Sequence, residues 1–144
     1  MQLIDPASAS SYRMSFTVGE HSPRHLRRIT RAYLHLWSLE EVVDAAELAV
    51  TELLANVVRH VPDRRCALLL LRLDRGVRIE VSDHWVRMPR HPAPLDRSGE
   101  PALDEGGRGL MLVEAVADRW GVVPLPPGGK TVWCECDTRR LAGR

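Results

Sequence analysis

The run Ser38-Leu39-Glu40-Glu41-Val42-Val43-Asp44-Ala45-Ala46-Glu47-Leu48-Ala49-Val50-Thr51-Glu52-Leu53-Leu54-Ala55-Asn56-Val57 decides the fold. Val42, Ala46, Ala49, Val50, Leu53 and Val57 recur at helical spacing and form one apolar stripe. Ser38 followed three residues later by Glu41 has the form of a capping box, and Val61-Pro62 marks the end of the helix. The stripe must be buried against something, and the next residues supply it. Cys66 to Leu73 and Val77 to Val81 are β-rich runs separated by Asp74-Arg75-Gly76, a turn signal, so they pair as an antiparallel hairpin.

Toward the N-terminus, Tyr12 to Val18 alternates as a half-buried strand does, and Gly19 ends it. Ser22-Pro23 then reads as a helix cap followed by proline at the first helical position, with Leu26, Ile29, Tyr33, Leu34 and Trp37 on one face. Toward the C-terminus, His84 to Gly107 carries four prolines and little apolar periodicity, the pattern of a lid or binding loop. Arg108 to Trp120 resumes a helical pattern through Leu110, Leu112, Val113, Val116 and Ala117. Gly121-Val122-Val123 and Thr131 to Cys136 flank a Pro-Pro-Gly-Gly turn as a second hairpin. The order strand, helix, helix, hairpin, lid, helix, hairpin predicts an α+β two-layer sandwich, a mostly antiparallel sheet with three helices on one face. Residues 1–12 read as a flexible leader, 13–137 as one domain and 138–144 as a tail.

A chain of 144 residues that is 44% hydrophobic can bury a sizeable core, which sets it apart from disordered sequences. Its formal charge of +1 gives no global field that would draw it to nucleic acid or an anionic membrane. No run approaches the roughly eighteen apolar residues needed to cross a bilayer, and no signal-peptide pattern opens the chain, so a cytoplasmic location is expected. Cys66, Cys134 and Cys136 lack CxxC spacing and read as buried strand residues. The six histidines show no metal-ligand spacing, and GxSxG and GxxxxGK[ST] are both missing, which leaves no hydrolase elbow and no P-loop. Of the four tryptophans, Trp37, Trp120 and Trp133 read as core residues, and Trp85 lies at the lid entrance.

Candidate chemistry sits in four places. Glu52 and Asn56, one helical turn apart, share a face of the second helix beside its stripe. The carboxylate can accept a proton and the amide oxygen is a hard ligand suited to Mg²⁺, although an exposed glutamate and a backbone-bonded asparagine would have the same spacing. Asp83 ends a strand just before the lid, where it can accept from an exocyclic amine or simply cap a turn. Gly106-Gly107-Arg108-Gly109, directly before the third helix, is either a phosphate cradle or a plain loop-to-helix junction. Gly128-Gly129-Lys130-Thr131 leads into the last strand as a tight turn, from which the Thr131 hydroxyl could reach a ligand.

Taken in order, Glu47 to Asn56, then Val81-Ser82-Asp83, then Gly107-Arg108-Gly109-Leu110, then Gly129-Lys130-Thr131 resemble the N, G1, G2 and final boxes of the GHKL ATPase superfamily. The sequence looks most like the single-domain anti-sigma-factor serine/threonine kinases of actinobacteria, over residues 13 to 137. The resemblance implies the Bergerat ATP-binding fold, with ATP and Mg²⁺ as cofactors. It implies Asn56 as the Mg²⁺ ligand, Glu52 as the general base and Asp83 at the adenine. Gly107 and Gly109 would line the phosphates, with Arg108 and Leu110 among the nucleotide-binding residues, and Thr131 would stand near an adenine-bound water. The implied partners are a sigma factor, a STAS-domain anti-sigma-factor antagonist phosphorylated on Ser or Thr, and a second copy of the chain; neither nucleic acid nor membrane is a direct partner. The alternative is a GHKL-like binding module that regulates transcription by sequestration. One departure is plain: in Asp83-His84-Trp85-Val86-Arg87, Trp85 and Arg87 stand where the superfamily carries glycines.

Overall fold

The structure is a computed structural model that describes residues 9–85 and 105–138, with residues 105–110 described for their backbone alone. The elements are β1 (Ser11–Thr17), α1 (Ser22–Leu36), a 3-10 turn at Glu40–Val42, α2 (Val43–His60), β2 (Arg65–Arg72), β3 (Gly76–Asp83), α3 (Glu105–Val116), β4 (Arg119–Pro124) and β5 (Lys130–Asp137). The strands form one antiparallel sheet in the order β1-β2-β3-β5-β4. This is the α+β architecture that the sequence predicts.

One face of the sheet carries the core. Leu68 and Leu70 of β2, Val77, Ile79 and Val81 of β3, and Val132, Cys134 and Cys136 of β5 are buried there. They alternate with partly exposed residues, as a strand covered on one side requires. Against them lie Ala46, Ala49, Val50, Leu53, Leu54 and Val57 of α2, which packs on β3 and β5 and is flanked by α1 and α3. Truncating a fully buried leucine such as Leu54 to alanine is expected to cost about 2–5 kcal/mol. The opposite face is polar. There Glu135 accepts from Arg78 and Arg119 at 2.8 and 2.7 Å, Arg78 also reaches Glu80 at 2.7 Å, and the Arg78 guanidinium lies 4.1 Å from the Trp133 ring centre.

Several local expectations are corrected. Ser22 is not the cap of α1: His21 takes that position, and the Ser22 hydroxyl accepts the Gly19 N–H at 2.8 Å. Ser38 does not cap α2 either. It adopts φ 57°, donating its N–H to His35, while the Leu39 N–H reaches back to Leu34, a Schellman closure of α1. α2 begins after Val42 with no side-chain cap. α3 spans Glu105–Val116 rather than Arg108 to Trp120, because β4 claims the residues from Arg119 for its ladder with β5, where Trp120 faces Cys134. Leu112 is exposed rather than core-facing, and Trp133 sits on the polar face, since Cys134 takes the inward position of β5. The lid residues 86–104, most of the leader and most of the tail lie outside the described residues. No described helix is long and apolar enough to cross a membrane.

Candidate nucleotide site

The site is set by which ends of the elements meet. The connection of residues 61–64 brings the C-terminal end of α2 to the start of β2. The start of β2 lies beside the end of β3, since Ala67 pairs with Ser82, and the end of β3 lies beside the start of β5, since Asp83 pairs with Lys130. The C-terminal half of α2, which holds Glu52 at its start and Asn56 one turn on, therefore runs toward the sheet end that carries Asp83. Asn56 is buried at 6% exposure and Glu52 is half-buried, so the asparagine is drawn into the protein while the carboxylate keeps access to solvent. The carboxylate can therefore exchange a proton with solvent or a ligand, one helical turn from the buried amide.

Asp83 faces the helical layer and is only 3% exposed. Its Oδ1 accepts the Trp85 backbone N–H at 3.0 Å, so the turn-capping role is real. Its Oδ2 accepts from the Lys130 ammonium at 2.9 Å. A carboxylate held this far from water must be paired, and Lys130 pairs it. Asp83 in turn acts on its neighbour: burial first, and the Asp83 charge second, push the Cys66 thiol up to about 11.

Thr131 does not join Asp83. It and Lys130 are successive strand residues and so point to opposite faces. The Thr131 hydroxyl is bonded to Ser82 at 2.7 Å on the polar face, where both line a hollow of about 660 Å³ together with Arg13, Ser15, Arg65 and Trp85. The residue that the register places beside Asp83 is Lys130. Sequence reasoning passed over it, although Lys130 is the single lysine in a chain whose other nineteen basic Lys/Arg residues are arginines. Gly129 also belongs to the site. It has φ 102°, and a Cβ there would fall on the Asp83 carbonyl oxygen and stand 2.8 Å from His84 Cα, so only glycine lets β5 start so close to the end of β3.

Gly107 and Gly109 lie within the first turns of α3 instead of in a loop before it. The first N–H groups of a helix have no partner within it, so Gly107, in the first turn, keeps a donor an anion could use, whereas Gly109, the fifth residue of α3, falls where the helical ladder has begun. α3 packs along α2, which sets these glycines on the helix neighbouring Glu52 and Asn56. The side chains of Arg108 and Leu110 lie outside the described residues, as does Arg87. Trp85, the bulky residue at a glycine position of the G1 box, is partly buried and packs against the core, with its N–H spent on Asp83.

Among the described residues no three His, Cys, Asp or Glu side chains gather to hold a metal by themselves. A single amide ligand such as Asn56 suits a cation that takes most of its ligands from phosphates and water. The buried amide, the buried acceptor at Asp83 and the helix that starts with glycines together fit a nucleotide accompanied by such a cation. A search of curated proteins found no match to the chain. The family model of the histidine kinase-like ATPase domain matches residues 19–135, which includes every element from α1 to β5 but the last strand's final residues. The chain therefore belongs to the histidine kinase-like ATPase family of the GHKL superfamily, whose members bind ATP.

Proposed function

We infer that this protein is an ATP-dependent serine/threonine protein kinase that controls transcription by binding a sigma factor and phosphorylating a STAS-domain antagonist of its own anti-sigma activity. The observation that carries this reading is the pairing, one turn apart in the C-terminal half of α2, of a half-buried carboxylate, Glu52, with a buried amide, Asn56. An ATPase domain that only gripped a partner would have no need of a solvent-accessible base one turn from a metal-holding amide.

Bound ATP supplies the γ-phosphoryl group, and its Mg²⁺ neutralises charge on the phosphates. Asn56 offers its amide oxygen to the cation. Asp83 accepts from the base and fixes the orientation of the nucleotide. The glycine-bearing first turns of α3 offer backbone N–H groups to the phosphates. Glu52 accepts the proton of the acceptor Ser or Thr as its oxygen bonds to the γ-phosphorus and the bond to the bridging β–γ oxygen breaks, releasing ADP. The edge strand β1, unpaired on one side among the described residues, is a surface on which a second copy could dock.

Incubation with labelled Mg-ATP and STAS-domain proteins tests the reading. One such protein should become labelled on Ser or Thr, and Glu52→Ala should keep ATP binding and lose transfer. Binding of a sigma factor that is indifferent to nucleotide, with no labelled acceptor, would support the sequestration module instead.

A further inference from the structure

We propose that Lys130 is a base-reading residue, which with Asp83 forms an acceptor–donor pair that takes the Watson–Crick edge of adenine: Asp83 accepts from the N6 amine and Lys130 donates to N1. The proposal rests on the nucleotide reading above and adds to it a specificity determinant at the start of β5.

Stability alone gives a poor reason for the pair. Its side chains are 3% and 14% exposed, and an ion pair so withdrawn from water gains little over apolar residues of the same size. Among the described residues the pair leaves hydrogen-bond capacity unspent. The Asp83 carboxylate has about four acceptor positions, of which Trp85 and Lys130 take one each. The Lys130 ammonium has three N–H donors and spends one on Asp83. An acceptor and a donor, side by side and 2.9 Å apart on the helix-facing side of the sheet, therefore keep free valences of opposite kinds among the described residues.

Adenine presents that complement, an amine donor beside a ring-nitrogen acceptor, and bases are read by hydrogen bonds to this edge. Guanine presents the reverse, a carbonyl acceptor beside an N–H donor, so a base held with its 6-position toward Asp83 would meet repulsion at both contacts. Residue type agrees. In a chain that otherwise uses arginine for every Lys/Arg cation, this position alone has the compact ammonium, which donates as a point charge where a planar guanidinium would need the space of a fork.

The test is calorimetric titration of the full chain with Mg-ATP, Mg-1-deaza-ATP and Mg-GTP, and of Lys130→Met with the first two. The 1-deaza analogue keeps the amine and replaces N1 by C–H. Wild type should bind ATP about ten- to a hundredfold more tightly than 1-deaza-ATP, the loss of one hydrogen bond to a charged donor, and should bind GTP more weakly than ATP. Lys130→Met should bind both adenine nucleotides alike, at the level of the wild type with the analogue. The wild-type comparison needs no variant, so a Lys130→Met chain that fails to fold leaves the test standing. Equal wild-type affinity for ATP and 1-deaza-ATP overturns the proposal, as does tighter binding of GTP, or a Lys130→Met chain that binds ATP more tightly than wild type and so exposes the lysine as a plug. A wild type that binds none of the three overturns the nucleotide reading itself, a result separate from these.

Discussion

Gly129→Ala is the substitution whose consequence is most directly computable. The native φ of 102° is strained for any residue with a Cβ, and that Cβ would lie on the Asp83 carbonyl oxygen, 2.8 Å from His84 Cα and 3.0 Å from the Asp83 carbonyl carbon. All of these are backbone atoms, so no flexible side chain can swing away. Backbone strain of this type costs about 1–3 kcal/mol, and overpacking a further 1–3 kcal/mol, giving about 2–6 kcal/mol together. At roughly 2–4 °C per kcal/mol for a domain near this size, the melting temperature should fall by about 5–20 °C. Relief of the clash requires the start of β5 to draw back from the end of β3, which parts Lys130 from Asp83, so ATP affinity measured below the melting transition should fall as well. Gly19→Ala is the control. Its Cβ would meet only the Ser22 hydroxyl at 3.8 Å, and a change within about 0.5 kcal/mol is expected. Thermal melts by circular dichroism decide the matter. A Gly129→Ala protein that melts within about 2 °C of wild type would show that the contact between β3 and β5 is not as close as described, and the argument for the site's architecture would fail with it.

Other outcomes follow from the same geometry. Asn56→Ala should remove the gain in ATP affinity that Mg²⁺ confers, while Glu52→Gln leaves that gain intact; titrations in Mg²⁺ and in EDTA separate the two. Burial works to raise Glu135, but hydrogen bonds from Arg78 and Arg119 outweigh it and hold the carboxyl below its ordinary value. A depressed folded value means stability that is present above the unfolded carboxylate pKa of about 4.3 and lost as pH falls through the lower folded one. Glu135→Gln should therefore be less stable than wild type at pH 7, with a smaller loss below about pH 4.3, whereas parallel acid-unfolding curves would contradict the pairing. Cys66 runs the other way. Its thiol, pushed up to about 11 by burial and then by Asp83, favours the folded state below the unfolded value of about 8.5 and loses that contribution as pH rises toward 11. Cys66→Ser should flatten the fall in stability across that alkaline range, and the native thiol should resist alkylation at pH 8 until the protein is unfolded.

The sequence made the helical layer legible because its signal is redundant. Val42 and five positions of α2 repeat the same period, and all six are buried. The hairpin of β2 and β3 was equally plain, since a turn signal stands between two apolar runs, and Asp83 ends β3 as expected. What escaped was parity. Whether Lys130 or Thr131 faces the helices depends on where the turn ends and the ladder begins, and a shift of one residue exchanges the faces. Nothing in Gly128-Gly129-Lys130-Thr131 fixes that count; the pairing of Asp83 with Lys130 does. The same parity moved Trp133 to the polar face, where Arg78 covers it. Ser38 misled for a different reason: a Ser with Glu three residues on serves a cap only if its backbone is extended, and here the tight link between α1 and α2 spends it on a left-handed turn. The glycines of α3 were visible as a cluster, but glycine is tolerated in a first helical turn, so composition alone could not say where the helix begins.

The central claim is that Asp83, at the end of β3, receives the base of a nucleotide whose cation is held by Asn56 on α2. Calorimetric titration of the wild type and of Asp83→Asn with Mg-ATP tests it most directly. The account predicts one ATP per chain for the wild type and loss of most of that affinity in Asp83→Asn, whose fold is verified by an unchanged circular-dichroism spectrum. Equal binding by a folded Asp83→Asn protein, or no heat of binding to the wild type at millimolar ATP, would contradict it.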